Sequence, residues 1–223
     1  MLRSFLALAA LLCSAATSAG SFNVAPIRIE LPAARRAASI EVQNTGDAAA
    51  QLQVERFLWK RDNGGDDDLE ATEAFVVTPP IFTLQPGQRQ IVRVLMQVPP
   101  DPRREGTYRL VLQETPLGDP PPNTVATLLR ISLPLFVTVP AAKADLAWRL
   151  VREGGALQLE AENRGGAHAF ISQVRTPDGA PLKVDGYLLP GEQRRWPIDS
   201  APQRLQVTLR DGTESVVEVR PAP

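Results

Sequence analysis

Apolar and polar positions alternate with period two along much of this chain. The clearest run is NTVATLLRISLPLFVTVP, residues 123–140. One set reads Val125, Thr127, Leu129, Ile131, Leu133, Leu135 and Val137. The other reads Ala126, Leu128, Arg130, Ser132, Pro134, Phe136 and Thr138. Period two marks a β-strand, and one of this length is long for a globular protein. Pro134 cannot donate to a ladder, which places it at an edge or a bulge. The pattern therefore predicts a long apolar edge strand. Exposed apolar edges are normally blunted, because they pair with other chains. One that is kept either serves another chain's strand or packs its odd-numbered face into its own core. This stretch alone leaves both open.

The same alternation predicts strands before it. Ser21–Leu31 reads as a first strand broken at Pro26. Ala38–Gln43, Gln51–Lys60, Phe75–Val77, Ile81–Leu84, Gln90–Val98 and Thr107–Glu114 follow. In the second of these, Leu52, Val54, Arg56 and Leu58 share a face. Arg61–Thr72 reads as a polar, acidic loop. About seven strands separated by turns is the pattern of an immunoglobulin-like sandwich. Pro140–Lys143 reads as a linker. Seven further candidate strands lie between Leu146 and Arg220, divided by turns such as Gly154-Gly155, Pro190-Gly191 and Asp211-Gly212. A weak repeat links the halves. Ile40–Gly46 is similar to Leu159–Gly165, and Leu84–Gln88 to Leu188–Glu192, in the same order. No long segment shows period 3.6. The prediction is an all-β chain of two immunoglobulin-like β-sandwich domains in tandem, residues 21–140 and 141–223.

Residues 1–20 stand outside that scheme. Arg3, the apolar run Phe5–Leu12 and the small residues Thr17-Ser18-Ala19 read as a secretory signal peptide cleaved near Ala19. The run is too short to span a bilayer. The signal segment also holds Cys13, the chain's one cysteine. An exported chain without disulfides must fold on its cores, and a bacterial periplasm suits it. Charge adds little: without Arg3 the formal net charge moves from −1 to −2, which does not suggest nucleic-acid binding. His168 is the sole histidine and reads as solvated near a turn. With no cysteine left, a zinc site or a Cys/His nucleophile is not expected. Asp62, Asp66, Asp67 and Asp68 lack calcium-loop spacing and read as a solvated loop. There is no G-x-S-x-G elbow and no phosphate-cradling glycine loop. The expectation is a binding protein, not an enzyme, with no cofactor, metal or small-molecule substrate.

Thr78–Val94, TPPIFTLQPGQRQIVRV, resembles the signature of the PapD-like periplasmic pilus-assembly chaperones, a run of the form TPPxxxLxPGxxxxVR. Val24–Ile29, VAPIRI, is similar to that family's first strand, which carries a cleft arginine. Leu110–Pro116 resembles its penultimate strand. The 123–140 stretch falls where the last strand of its first domain lies.

The resemblance implies two immunoglobulin-like domains set in an L, or boomerang. It implies a chaperone that binds pilin or fimbrial subunits and hands them to an outer-membrane usher. The implied mechanism is donor-strand complementation, a form of β-augmentation. Val125, Thr127, Leu129 and Ile131 are then the donated set. Arg28 is the implied anchor for the subunit's terminal carboxylate, which a guanidinium can bind bidentately. Many relatives place a lysine anchor where this chain has Pro134, and proline there is similar to the archaic, Csu-type branch. Arg130, Arg109 and Arg93 remain as candidates for a second charge. The free chain could also self-associate through the same strand. The other reading is a secreted structural or adhesive tandem sandwich that does not act on pilins.

Overall fold

Pro26 divides the first apolar stretch into two strands that join different sheets. In the computed structural model, which describes residues 21–61, 65–118 and 127–221, β1 is Phe22–Ala25 and β2 is Ile29–Pro32. Next come β3 (Ala37–Asn44), β4 (Ala50–Arg61), β5 (Asp67–Ala71), β6 (Phe75–Thr78) and β7 (Ile81–Leu84). Then follow β8 (Arg89–Met96), β9 (Gly106–Thr115) and β10 (Arg130–Thr138). One sheet runs β1-β3-β8-β6. The facing sheet runs β2-β10-β9-β4-β5, with β7 also on β4.

Alternation explains how the two sheets close. Ile40 and Val42 of β3, Val92 and Val94 of β8, Leu52 of β4 and Leu110 and Leu112 of β9 all point into one core. The intervening residues point to the opposite face of each sheet, as the pleat requires. The TPP-to-VR run is scaffold. Leu84, Val92 and Val94 are buried, and Gly87 turns with φ at +77°, a value that only glycine adopts without strain.

The second half comprises β11 (Leu146–Glu153), β12 (Ala156–Asn163), β13 (Ala169–Arg175), β14 (Pro181–Leu182), β15 (Gly186–Leu188), β16 (Gln193–Pro197), β17 (Arg204–Leu209) and β18 (Glu214–Arg220). They form one continuous sheet, β14-β13-β17-β18-β11-β12-β16, with β15 on β13. Its two halves meet through a short parallel pairing of β11 with β18. Folded over, they enclose Trp148, Leu159, Ile171, Val174, Leu205 and Val207. The all-β expectation therefore stands. The second sandwich is one sheet folded over on itself.

The sequence repeat is structural. Asn44 is buried, and its amide donates to the carbonyls of Ala48 (2.8 Å) and Leu84 (3.0 Å). Asn163 is also buried and donates to Ala167 (2.8 Å) and Leu188 (3.1 Å). The Oδ1 of each accepts from the glycine two residues on, Gly46 (2.9 Å) and Gly165 (3.0 Å). Each carbonyl accepts from the Pro-Gly turn of its own half, at Gly87 (2.9 Å) and Gly191 (2.8 Å).

Two expectations need correction. The acidic stretch after Arg61 is not a solvated loop throughout. Residues 67–71 form β5, paired with the end of β4. Asp67 is drawn in because it accepts hydrogen bonds from Trp59 Nε1 (2.8 Å) and Arg61 Nε (2.6 Å). His168 is not solvated. Its side chain is 13% exposed, its ring stacks on Phe136 with centroids 3.6 Å apart, and Nδ1 lies 2.8 Å from Glu105 Oε2.

Candidate functional site

The stretch from 123 to 140 does two jobs, divided at Pro134. β10 pairs with β9 along its length, from Arg130 opposite Gln113 to Val137 opposite Gly106. β2 covers its other side only from Leu135 to Thr138, in parallel, beginning with Ile29 opposite Leu135. The β9 ladder extends outward by one residue: the Glu114 N–H donates to the Leu129 carbonyl (2.8 Å), and the Leu129 N–H donates to Glu114 Oε2 (3.0 Å). From Leu129 to Pro134 the strand thus has β9 on one side and, among the described residues, no strand on the other. Pro134, with no N–H to give, lies within this open part, where proline is tolerated.

The side chains divide at nearly the same place. Leu133, Leu135 and Val137 fill the first core, and Ile131 is partly buried against it. Leu129 is half-buried and Thr127 exposed. Val125 lies outside the described residues. The single long edge strand expected from the alternation is therefore an inner segment committed to its own core and an outer segment with an open edge. On the even-numbered face Phe136 is fully buried, so the inner segment is apolar on both faces.

Arg28 stands where the cover ends, one residue before Ile29. Its side chain is 31% exposed and pairs with Glu30 at 2.8 Å. Beside it is a cavity of about 250 Å³, lined by Arg28 and Glu30 from the first half and by His168, Phe170, Arg210 and Asp211 from the second.

The floor beneath is a dense junction between the halves. Trp59, Phe136 and Leu189 form a buried cluster with Leu69 and Tyr187. Arg61 Nη1 donates to the Tyr187 carbonyl (2.8 Å), and Arg104 Nη2 to that of Pro190 (2.5 Å). Glu105 receives the backbone N–H of His168 (2.7 Å), and its own N–H donates to the Gly166 carbonyl (2.8 Å). Burial pushes the Asp67 carboxyl upward, but hydrogen bonds from Arg61 and Trp59 and the charges of Arg61 and Arg109 outweigh it and hold the group below its usual range. Burial pushes the Glu192 carboxyl up, with Arg61 3.6 Å away only partly offsetting it.

None of the three other candidate cations lines the cavity beside Arg28, although Arg109 lies opposite Pro134 on the neighbouring strand. Arg109 is neutralised by Asp67 at 3.2 Å, and its guanidinium lies 3.6 Å from the Trp59 ring centroid. Burial lowers its pKa, with the Asp67 charge opposing. Arg130 is exposed, four residues before Pro134, which is about 13 Å along a strand. Arg93 belongs to the other sheet, opposite Ser39 and Thr78.

Comparison with known proteins now places the chain. Residues 21–142 match the family described as pili and flagellar-assembly chaperone, PapD N-terminal domain. The chain belongs to that family. The chaperone is 27% identical over 173 residues to the probable fimbrial chaperone LpfB of Escherichia coli O157:H7, covering 72% of this chain and 70% of LpfB. Its fold is similar to the CsuC–CsuE chaperone–tip adhesion subunit pre-assembly complex from the archaic chaperone–usher Csu pili of Acinetobacter baumannii. That match has a TM-score of 0.73 and 22% identity, over 90% of this chain and 99% of the other. The E. coli chaperone DraB matches with a TM-score of 0.64 and 22% identity, over 91% and 98%. A Salmonella enterica complex of SafA pilin with the SafB chaperone matches with a TM-score of 0.64 and 18% identity, over 89% and 96%. Fimbrial chaperones of this family are periplasmic.

Sequence reasoning missed most of the junction. Arg61 fell in a stretch that reads as a polar, acidic loop, and no motif singled out Glu105 or Tyr187. Trp59 lies opposite the face of β4 that supplies the first core. One signal was present in Phe136: set between Leu135 and Val137, it makes residues 133–137 apolar on both faces, the mark of a strand covered twice.

Proposed function

We propose that this chaperone captures pilin subunits by lending them the open outer part of β10, with Val125, Thr127, Leu129 and Ile131 as the donated set and Arg28 as the anchor for the subunit's C-terminal carboxylate. One observation carries the reading: β2 leaves the edge of β10 at the Ile29–Leu135 pair, and Arg28 stands at that point. A strand added on the open edge in the same direction as β2 would run up to Arg28 and end there, which brings a free C-terminus to a guanidinium. Main-chain bonds would give pairing without sequence preference, and alternate side chains would enter the subunit's groove. Each large aliphatic side chain buried contributes about 1.5–3 kcal/mol, against association costs of about 4–15 kcal/mol. Such a ridge favours selection of register over permanent binding, as hand-over to an outer-membrane usher requires.

The reading extends to a stoichiometric binding protein without catalysis, cleaved near Ala19 on export, with domains at 21–140 and 141–223. Pro134 supports the archaic, Csu-type branch. The same open edge would allow the free chaperone to self-associate. The test is co-expression with a pilin subunit. The chaperone should protect the subunit from degradation and co-purify with it, and Arg28→Ala should abolish this while unfolding at the same denaturant concentration. Unchanged capture by Arg28→Ala would remove the anchor role.

A further inference from the structure

The cavity beside Arg28 holds a second arginine, Arg210, and neither of the two carboxylates that line it, Glu30 and Asp211, pairs with that arginine. Arg28 is engaged by Glu30, a neighbour two residues along the same chain. Both partners are substantially exposed, so the pair is weak and exchangeable. Asp211 is turned into its own loop, where Oδ1 accepts from the Thr213 N–H at 2.9 Å. Arg210 has no carboxylate within ion-pair distance among the described residues. Its guanidinium carbon lies 3.5 Å from the Phe170 ring centroid, and Nη1 donates to the Tyr187 hydroxyl at 3.1 Å. These contacts hold a planar cation in place without neutralising it. They also leave most of its five donors uncommitted.

The geometry points to Arg210 as a second carboxylate-binding residue that closes on the ligand from the second sandwich while Arg28 holds it from the first. The ligand is the C-terminal carboxylate of a strand added to β10, so the inference rests on the reading of Arg28 above. A cavity of about 250 Å³ has room for a carboxylate and bridging water, since one water needs roughly 10–15 Å³. Pro134 gives β10 no cation at this spot, Arg109 is already neutralised, and Arg130 is distant. Arg210 supplies the missing charge from the other side. In this structure Glu30 occupies Arg28. On binding, the incoming carboxylate takes its place, and Arg210 meets the second oxygen. No covalent step is involved.

The test uses the full chain and two short synthetic peptides of alternating valine and serine, one with a free C-terminal carboxylate and the other amidated. The wild-type protein should prefer the carboxylate form. Arg210→Gln should cut that preference roughly tenfold, the scale of a charged hydrogen bond, with affinity for the amide unchanged. Arg210→Lys should recover part of it. An equal loss for both peptides would show a purely structural role and overturn the inference. If Arg210→Gln keeps the wild-type preference while Arg28→Ala loses it, the inference falls and the Arg28 anchor stands. If the wild-type protein has no preference, both fall.

Discussion

Ile29 lies opposite Leu135 in a parallel pair, and among the described residues β10 is covered on that side only from this pair onward. That contact separates the part of the strand that belongs to the first sandwich from the part that is open. It also fixes the position of Arg28, the preceding residue. Strand edge and cation are therefore consequences of one register.

Leu129 and Ile131 should behave differently, although both belong to the donated set. Ile131 packs partly against the first core, whereas Leu129 is half-buried outside that cluster. Leu129→Asp should change the unfolding free energy by no more than about 0.5 kcal/mol and lower pilin affinity by at least tenfold, the loss of one buried aliphatic side chain. Ile131→Asp should lower both. Denaturant titration alongside a pull-down checks the pair. Equal destabilisation by the two substitutions would show that the core extends beyond Ile131.

Glu30 competes with the incoming carboxylate for Arg28. Glu30→Gln removes an exposed ion pair worth about 0–1 kcal/mol, so folding stability should hardly change. Affinity for a pilin subunit should rise, by up to about fivefold. Calorimetric titration of wild type and variant gives the difference, and weaker binding by Glu30→Gln would mean that the carboxylate helps to hold the subunit.

The matching asparagines test whether the two sandwiches are separate folding units. Asn44→Ala strands two carbonyl acceptors and one glycine N–H; Asn163→Ala strands the matching three groups and also the Asp145 N–H. An unsatisfied buried group costs about 1–3 kcal/mol. Hydrogen exchange under native conditions should show Asn44→Ala weakening protection in residues 22–115 and Asn163→Ala weakening it in 146–220. Equal loss throughout both halves would indicate a single cooperative unit.

The sign of the pH dependence at the junction follows from Asp67. Its folded-state pKa is depressed, so the unfolded chain binds more protons there as the medium becomes acid. Its contribution is fully present above the ordinary aspartate value of about 3.9 and is lost as pH falls through the depressed value. Asp67→Asn should therefore be less stable than wild type at pH 7, and the gap should narrow in acid. Denaturant midpoints across that range measure it; a constant gap would remove Asp67 from the acid response.

The architecture was legible because it rests on local rules. Alternation marked nearly every strand, and the recurrence of an asparagine turn with a Pro-Gly turn revealed two related sandwiches. β5 was hidden because its acidic residues look solvated until Trp59 and Arg61 are seen to bind Asp67. His168 was misread for a related reason. Its partners, Glu105 just before β9 and Phe136 on β10, are distant in sequence, and no local pattern joins them. The open edge was half legible: period two showed the strand, but only the register with β2 shows where it stops serving its own core. Arg210 was invisible in the sequence, since a turn arginine becomes notable only when the second sandwich brings it to Arg28.

Amide hydrogen exchange on the chaperone with and without a bound pilin subunit tests the central claim most directly. An added strand must pair with the main chain of residues 127–134, so exchange there should slow on binding, while the outer strands β1 and β6 of the other sheet remain as before. Unaltered exchange across 127–134 in a complex that otherwise forms would contradict the account and place the subunit elsewhere on the molecule.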